Sequence, residues 1–272
     1  MTPPLRPFHR PTPFAARLAR LARVATHVVG GLSTTVFVFP WIGPPKKQAL
    51  IRKWSRQLLQ MLNVEMRVLW QHDGGIPGNV LIVANHISWL DIFVLDALQP
   101  ARFIAKAELK RWPLIGRLSA NVGTLFIERE RRRDTHTVNR HTVDALARGD
   151  IVAVFPEGTT SDGQGLLKFH SSLLQPVVDA DGHVQPVAIR YRTPADEYSD
   201  AAAFVGDLTL LQSFWRLTGE RGLVAELHLM APLPAHARHR RELSSEAAEA
   251  IRTVVESPAR APAPDRRGDP RA

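Results

Sequence analysis

Short apolar runs rich in β-branched residues recur through the middle of the chain, each followed by a polar or glycine-bearing segment and then a helical pattern. Residues 81–84, 102–105, 124–127, 151–155 and 184–191 read as strands. Between them, residues 91–98, 113–120, 135–148 and 170–179 read as helices, with a helix start at 106–109 and a stop at Gly149. A strand without charge or alternation has no face suited to water. The pattern therefore predicts an α/β fold, a mostly parallel sheet flanked by helices. In such folds functional loops gather at the carboxyl ends of the strands.

The flanks extend the pattern. Residues 46–62 form an amphipathic helix with Leu50, Ile51, Trp54, Leu58, Leu59 and Leu62 on one side, and 64–70 alternate as a strand. Gly74-Gly75-Ile76-Pro77-Gly78 turns the chain into the strand at 81–84. Residues 194–205 read as a surface insertion, 207–217 as an apolar helix with Phe214 and Trp215, 223–230 as a late strand and 242–255 as a closing helix. Residues 257–272 are rich in Pro, Arg and Ala and are expected to be disordered.

The 272 residues carry a formal charge of +9 and no cysteine. Disulfides and cysteine-bound zinc are excluded, and a polyanionic partner is indicated, either nucleic acid or an anionic membrane face. No helix-turn-helix, RNP-like or zinc pattern is present, and the basic residues cluster at the termini, which disfavours nucleic acid. Residues 1–24 hold Arg6, Arg10, Arg17, Arg20 and Arg23 with no acid, whereas residues 25–42 hold no Lys, Arg, Asp or Glu. This reads as a helix over 14–24 leading into a membrane anchor that lies in the interface or folds back as a hairpin. His27, Gly30, Gly31, Ser33, Thr34 and Thr35 weaken it as a spanning helix, and the competing reading is a core helix over the sheet. The arginine-rich prelude and the missing cleavage site argue against a secretory signal. Three units follow: an anchoring segment over 1–45, a main domain over 46–256 and a tail over 257–272.

Chemistry concentrates in three strand-end blocks. In Asn85-His86-Ile87-Ser88-Trp89-Leu90-Asp91, Asn85 and Ser88 are helix-capping types. Asp91, five positions after His86, can fold back across the first helical turn and accept a hydrogen bond from one ring nitrogen. The other nitrogen is then free to take a proton. Gly123-Thr124-Leu125-Phe126-Ile127-Glu128-Arg129 ends in a guanidinium suited to phosphate, and Lys106 also follows a strand. Phe155-Pro156-Glu157-Gly158-Thr159-Thr160-Ser161 places a carboxylate between a rigid residue and a permissive one. His136 and His141 are five apart on one helix, the wrong spacing for a shared metal.

The ordered set NHxxxxD, GxxFIxR and FPEGT resembles the glycerolipid acyltransferases, the family that includes lysophosphatidate acyltransferase, from about residue 64 to 233. The resemblance implies a membrane-associated enzyme that moves a fatty acyl chain from acyl-CoA or acyl carrier protein to the free hydroxyl of a lysolipid. The first acceptor it implies is 1-acylglycerol-3-phosphate, giving phosphatidate. His86 and Asp91 are then catalytic, and Lys106, Gly123, Arg129, Glu157, Gly158, Thr159 and Thr160 serve substrate binding and site geometry. The thioester is a co-substrate, no cofactor or metal is implied, and the expected location is the inner membrane with the catalytic domain facing the cytoplasm. Ser88 is poorly placed as an acyl-accepting nucleophile, so direct attack by the lipid hydroxyl is the simpler mechanism. Many lysophosphatidate enzymes carry Arg where this chain has Thr160. That departure opens lyso-ornithine lipid or another lysophospholipid as acceptor. A catalytically silent basic lipid- or nucleic-acid-binding protein is the alternative of a different class.

Overall fold

The computed structural model describes residues 12–112, 115–127 and 132–257. Eight strands form one sheet: β1 (Val64–Trp70), β2 (Val80–Ala84), β3 (Arg102–Lys106), β4 (Leu125–Ile127), β5 (Ile151–Val154), β6 (His183–Arg192), β7 (Leu223–Leu229) and β8 (Leu233–Pro234). The order is β1-β7-β6-β2-β5-β3-β4, with β8 paired to β6. The charge-free β2 lies inside the sheet, parallel to both β5 and β6, and no residue in it exceeds 1% exposure. β3 and β4 continue the parallel set, as the alternation predicts. β7 departs from it, running antiparallel to β6 while β1 runs parallel to β7. A run of apolar residues carries no direction, and β8 is too short to show a period.

Among the described residues eight α-helices surround the sheet: α1 (Phe14–Phe37), α2 (Pro44–Met61), α3 (Leu90–Leu98), α4 (Ile115–Asn121), α5 (Arg132–Ala147), α6 (Gln175–Asp179), α7 (Leu210–Gly219) and α8 (Arg240–Val255). Alternate strand residues feed opposite cores. Ile82, Phe103, Phe155, Ile189 and Tyr191 join residues of α1, α2, α3 and α7 in one cluster. Leu81, Val83, Val152, Val154 and Val184 join residues of α5, α6 and α8 in the other. Lys106 closes β3 and residues 107–111 form a 3-10 turn where a helix start is expected at 106–109, and residues 171–174 before α6 are 3-10 as well.

α1 is one continuous helix, not a helix to 24 followed by a separate apolar segment. The residues that weaken it as a membrane span are those that dock it. Gly31 lies so close to α2 that a Cβ there would sit 2.4 Å from the Trp54 indole nitrogen. His27 stacks on Trp54 at 4.6 Å, and the indole N–H donates to the His27 carbonyl at 3.1 Å. Towards the amino end, Arg20 donates to the carbonyls of Thr218 and Glu220, satisfying the end of α7. Towards the carboxyl end, Asn121 of α4 donates to the Thr35 hydroxyl at 2.8 Å. The helix is thus held along its length against other helices rather than against the sheet.

Residues 194–205, expected as a surface insertion, are tied into the body. Ala201, Ala202 and Ala203 are 4%, 0% and 3% exposed.

Asp96 on α3 is 6% exposed, and its Oδ1 accepts from the Ala101 N–H at 3.1 Å. Burial pushes its carboxyl up from 3.8 to about 8, against that hydrogen bond. The folded chain therefore keeps a proton that the unfolded chain has lost across the window from about 4 to about 8. Stability falls as pH rises through that window. Asp96→Asn keeps the acceptor and removes the titration. Its unfolding temperature is expected to match wild type below the window and exceed it above, by thermal melts across pH. Parallel curves would show that Asp96 does not titrate there.

Candidate active site

Where β2 ends, its ladder with β6 ends too, and the Asn85 side chain carries the pairing one step further. Its amide donates to the Ile189 carbonyl at 2.9 Å and accepts from the Ile189 N–H at 2.7 Å. Asn85 is therefore a bridge between strands, not the helix cap its type suggests. The chain then turns into α3, and Asp91 lies in its first turn with no exposure. Asp91 Oδ2 accepts from the N–H groups of Ile87 at 2.7 Å and Ser88 at 2.9 Å, and from His86 Nδ1 at 2.9 Å. Its Oδ1 accepts from the Tyr191 hydroxyl at 2.7 Å. Four donors compensate the buried carboxylate without a cationic side chain among them.

With Nδ1 donating to Asp91, the neutral imidazole carries its lone pair on Nε2, and the side chain remains 19% exposed. The ring lies flat on Phe155, centroids 4.0 Å apart and planes 10° apart, and Phe103 stacks behind Phe155 at 6.0 Å. Ser88 is fully buried, and its hydroxyl accepts from the Leu90 N–H at 3.2 Å, which removes it as a nucleophile. The arrangement offers a fixed base beside an apolar wall, fitted to take a proton from a hydroxyl.

The Glu157 block wraps the same turn. Glu157 is 4% exposed, with one oxygen accepting from the His86 N–H at 2.7 Å and the other from the Leu167 N–H at 3.1 Å. Burial pushes its carboxyl up to about 7, while those two N–H groups pull it down. Gly158 takes a left-handed φ of 72°, and its N–H closes the turn on the Phe155 carbonyl. Thr159 is exposed, and the Thr160 hydroxyl donates to the Phe204 carbonyl. Lys106 ends β3 and is exposed on the same rim of the sheet. Gly123 is a correction: it precedes β4 at the opposite rim, where its carbonyl accepts from Arg102 at 3.2 Å. Arg102 and Lys106 bound β3, so Gly123 lies roughly 13 Å of strand away from Lys106 and serves as a turn. Arg129 lies outside the described residues.

Comparison with known proteins gives the family. The acyltransferase family profile matches residues 67–190. Lyso-ornithine lipid O-acyltransferase of Pseudomonas aeruginosa is 42% identical over 214 residues, 78% of this chain and 80% of that one. The chain belongs to the acyltransferase family. 1-Acyl-sn-glycerol-3-phosphate acyltransferase of Neisseria gonorrhoeae is 39% identical over 180 residues, 66% of this chain and 70% of that one. The crystal structure of the 1-acyl-sn-glycerophosphate (LPA) acyltransferase PlsC from Thermotoga maritima shares the fold. Its TM-score is 0.66 at 22% identity, with 89% of this chain and 94% of that one covered.

Two features of this acyltransferase's site are invisible to motif reading. Tyr191 lies 100 positions from Asp91, and burial together with the Asp91 charge raises its phenol well above the ordinary value, so it stays a donor. The only hint in the sequence is that 187, 189 and 191 share one face at the carboxyl end of a strand. Residues 198–204 wall the histidine turn: the Phe204 N–H donates to the Ile87 carbonyl at 2.9 Å and the Tyr198 hydroxyl to the Asp162 carbonyl at 2.8 Å.

Tyr191→Phe leaves Asp91 Oδ1 buried without its donor, which is expected to cost about 1–3 kcal/mol of stability. Acyl transfer is expected to fall with it, because the carboxylate that orients His86 loses one of its four anchors. Denaturant unfolding and a turnover assay on the same preparation check this, and two unchanged values would remove Tyr191 from the network.

Proposed function

We propose that this acyltransferase moves a fatty acyl group from acyl-CoA or acyl carrier protein to the hydroxyl of 1-acylglycerol-3-phosphate, giving phosphatidate. The observation that carries the reading is His86, 19% exposed and held at Nδ1 by a buried carboxylate, with Nε2 unpartnered among the described residues. Nε2 takes the acceptor's hydroxyl proton as the oxygen attacks the thioester carbonyl, and Asp91 steadies the imidazolium. Collapse of the tetrahedral intermediate breaks the carbon–sulfur bond, and the proton on Nε2 passes to the departing thiolate. Lys106 and Arg129 are the cations we assign to the charged headgroup, with Gly158, Thr159 and Thr160 beside it. Gly123 is left out of the assignment.

A second acceptor, lyso-ornithine lipid, is favoured by a specific observation. Where many lysophosphatidate enzymes have a guanidinium, the Thr160 hydroxyl is tied to the Phe204 carbonyl and brings no charge. The Pseudomonas relative is named for that lipid and the Neisseria relative for the glycerophosphate. Acyl transfer to both lysolipids, with each thioester, tests the reading directly. His86→Ala is expected to lower turnover on the preferred acceptor by roughly 10²–10⁴-fold with the fold intact. A variant that keeps near-wild-type transfer would exclude His86 as the base.

We further propose that the enzyme works on an anionic membrane face, the inner membrane seen from the cytoplasm, with α1 lying in the interface rather than crossing it. The support is a set of exposed apolar side chains on α1, Leu18 (55% exposed), Val29 (56%), Val36 (40%) and Phe37 (71%), continued by Trp41 (85%). A helix bound along its length to α7, α2 and α4 cannot leave them to span hydrocarbon. Phe37→Glu with Trp41→Glu should weaken partition to anionic vesicles at least about tenfold, since each side chain contributes on the order of 1.5–3 kcal/mol when buried. Retention equal to wild type after flotation would place the membrane contact elsewhere.

A further inference from the structure

Glu157 sits in a block whose resemblance suggests contact with the acceptor, yet its surroundings point elsewhere. The residue is 4% exposed, and each carboxyl oxygen already accepts a main-chain N–H, from His86 at 2.7 Å and from Leu167 at 3.1 Å. A lipid headgroup has no route to it that leaves those bonds in place. The rest of the block holds the same peptide units. Ser161 donates its N–H to the His86 carbonyl at 2.8 Å, with its hydroxyl a further 3.3 Å contact. The ring of Phe155 lies against the imidazole. His86 is thus gripped at its N–H, its C=O and its ring face by three residues of one seven-residue stretch. Ile87 is pinned as well, its N–H to Asp91 at 2.7 Å and its C=O to the Phe204 N–H at 2.9 Å.

We propose that Glu157 is a positioning residue, whose carboxylate holds the main chain of His86 so that Nε2 faces the acceptor, and which does not touch the lipid. The proposal rests on His86 acting as the base, as argued above. The chemistry explains why a carboxylate stands here. Two N–H donors converge on the group from different loops, and only an ionised carboxylate presents an acceptor to both. A glutamine amide would satisfy one donor and set its own NH₂ against the other. Pro156 and the left-handed Gly158 fix the main chain on either side, so the carboxylate reaches back across the turn in one orientation. Among the described residues, His86 and Asp91 are the titratable groups that face Glu157.

The test separates holding the base from binding the lipid. With the thioester saturating and the acceptor varied, Glu157→Gln is expected to lower kcat by about 10²-fold, as for a reacting group displaced by an ångström. The acceptor KM is expected to stay within about twofold, since no ground-state contact is lost. A raised KM with kcat intact would place Glu157 against the acceptor and overturn the proposal, and so would a variant equal to wild type in both. The second arm needs neither the variant nor acyl transfer. In wild-type enzyme labelled with ¹⁵N at histidine and leucine, the His86 and Leu167 amide protons are expected to shift together with one midpoint near 7. Amides that move independently would overturn the proposal even if the variant failed to fold. Wild type inactive on every lysolipid would instead sink the acyl-transfer reading, with the two amides still deciding whether Glu157 grips the histidine turn.

Discussion

A carboxylate taken out of water is among the costliest groups a protein can bury, and Asp91 has no exposed surface at all. Its four donors come from three places: the turn after β2, the ring of His86 and the end of β6. Satisfying them sets the height of α3 against the sheet, the direction in which the chain leaves β2, and the face that β6 presents. The same bonds orient the imidazole. Folding therefore asks that the Asp91 oxygens stay surrounded, and the same donors fix the His86 ring.

Around that group the structure builds in shells of decreasing burial. Asn85 joins β2 to β6 where their ladder stops, and the Glu157 block holds the peptide of His86 from the β5 side. Residues 198–204 close over the top. Beyond them lies a helical layer. Trp89, two residues before Asp91, donates its indole N–H to Ser213 at 2.9 Å and packs on Phe214 of α7 at 4.3 Å. α7 in turn carries Trp215, against which Phe14 and Arg17 of α1 lie. One short helix thus separates α1 from the turn that bears His86.

The charge pattern fits the same geometry. The net charge of +9 reads from sequence alone as a polyanionic partner of unstated kind. In the fold, Arg17 and Arg20 are not simply solvated: they bind α7 through an indole face and two helix-end carbonyls. Part of the terminal basicity thus holds α1 in place.

Much of the architecture is legible without coordinates, because it depends on neighbours in sequence. Short charge-free apolar runs rich in β-branched residues read as interior strands, helices between them follow from period, and a His and an Asp five apart across a strand–helix junction can meet across one turn. That logic recovered the parallel core, the dyad and the rim to which Lys106 and Glu157 belong. What needed the tertiary structure is whatever depends on residues far apart. Tyr191 completes the Asp91 network from 100 positions away, and nothing local marks its hydroxyl. Gly123 belongs to the opposite rim, because its place depends on which end of β4 it adjoins in the assembled sheet. Residues 194–205 look polar and loose, yet three alanines among them are buried and Phe204 bonds the Ile87 carbonyl, more than a hundred residues earlier. The direction of β7 and the docking of α1 through a glycine and a tryptophan belong to the same class. Local pattern decides which residues form an element and which chemistry they bring. Packing and the need to satisfy buried polar atoms decide where those elements meet.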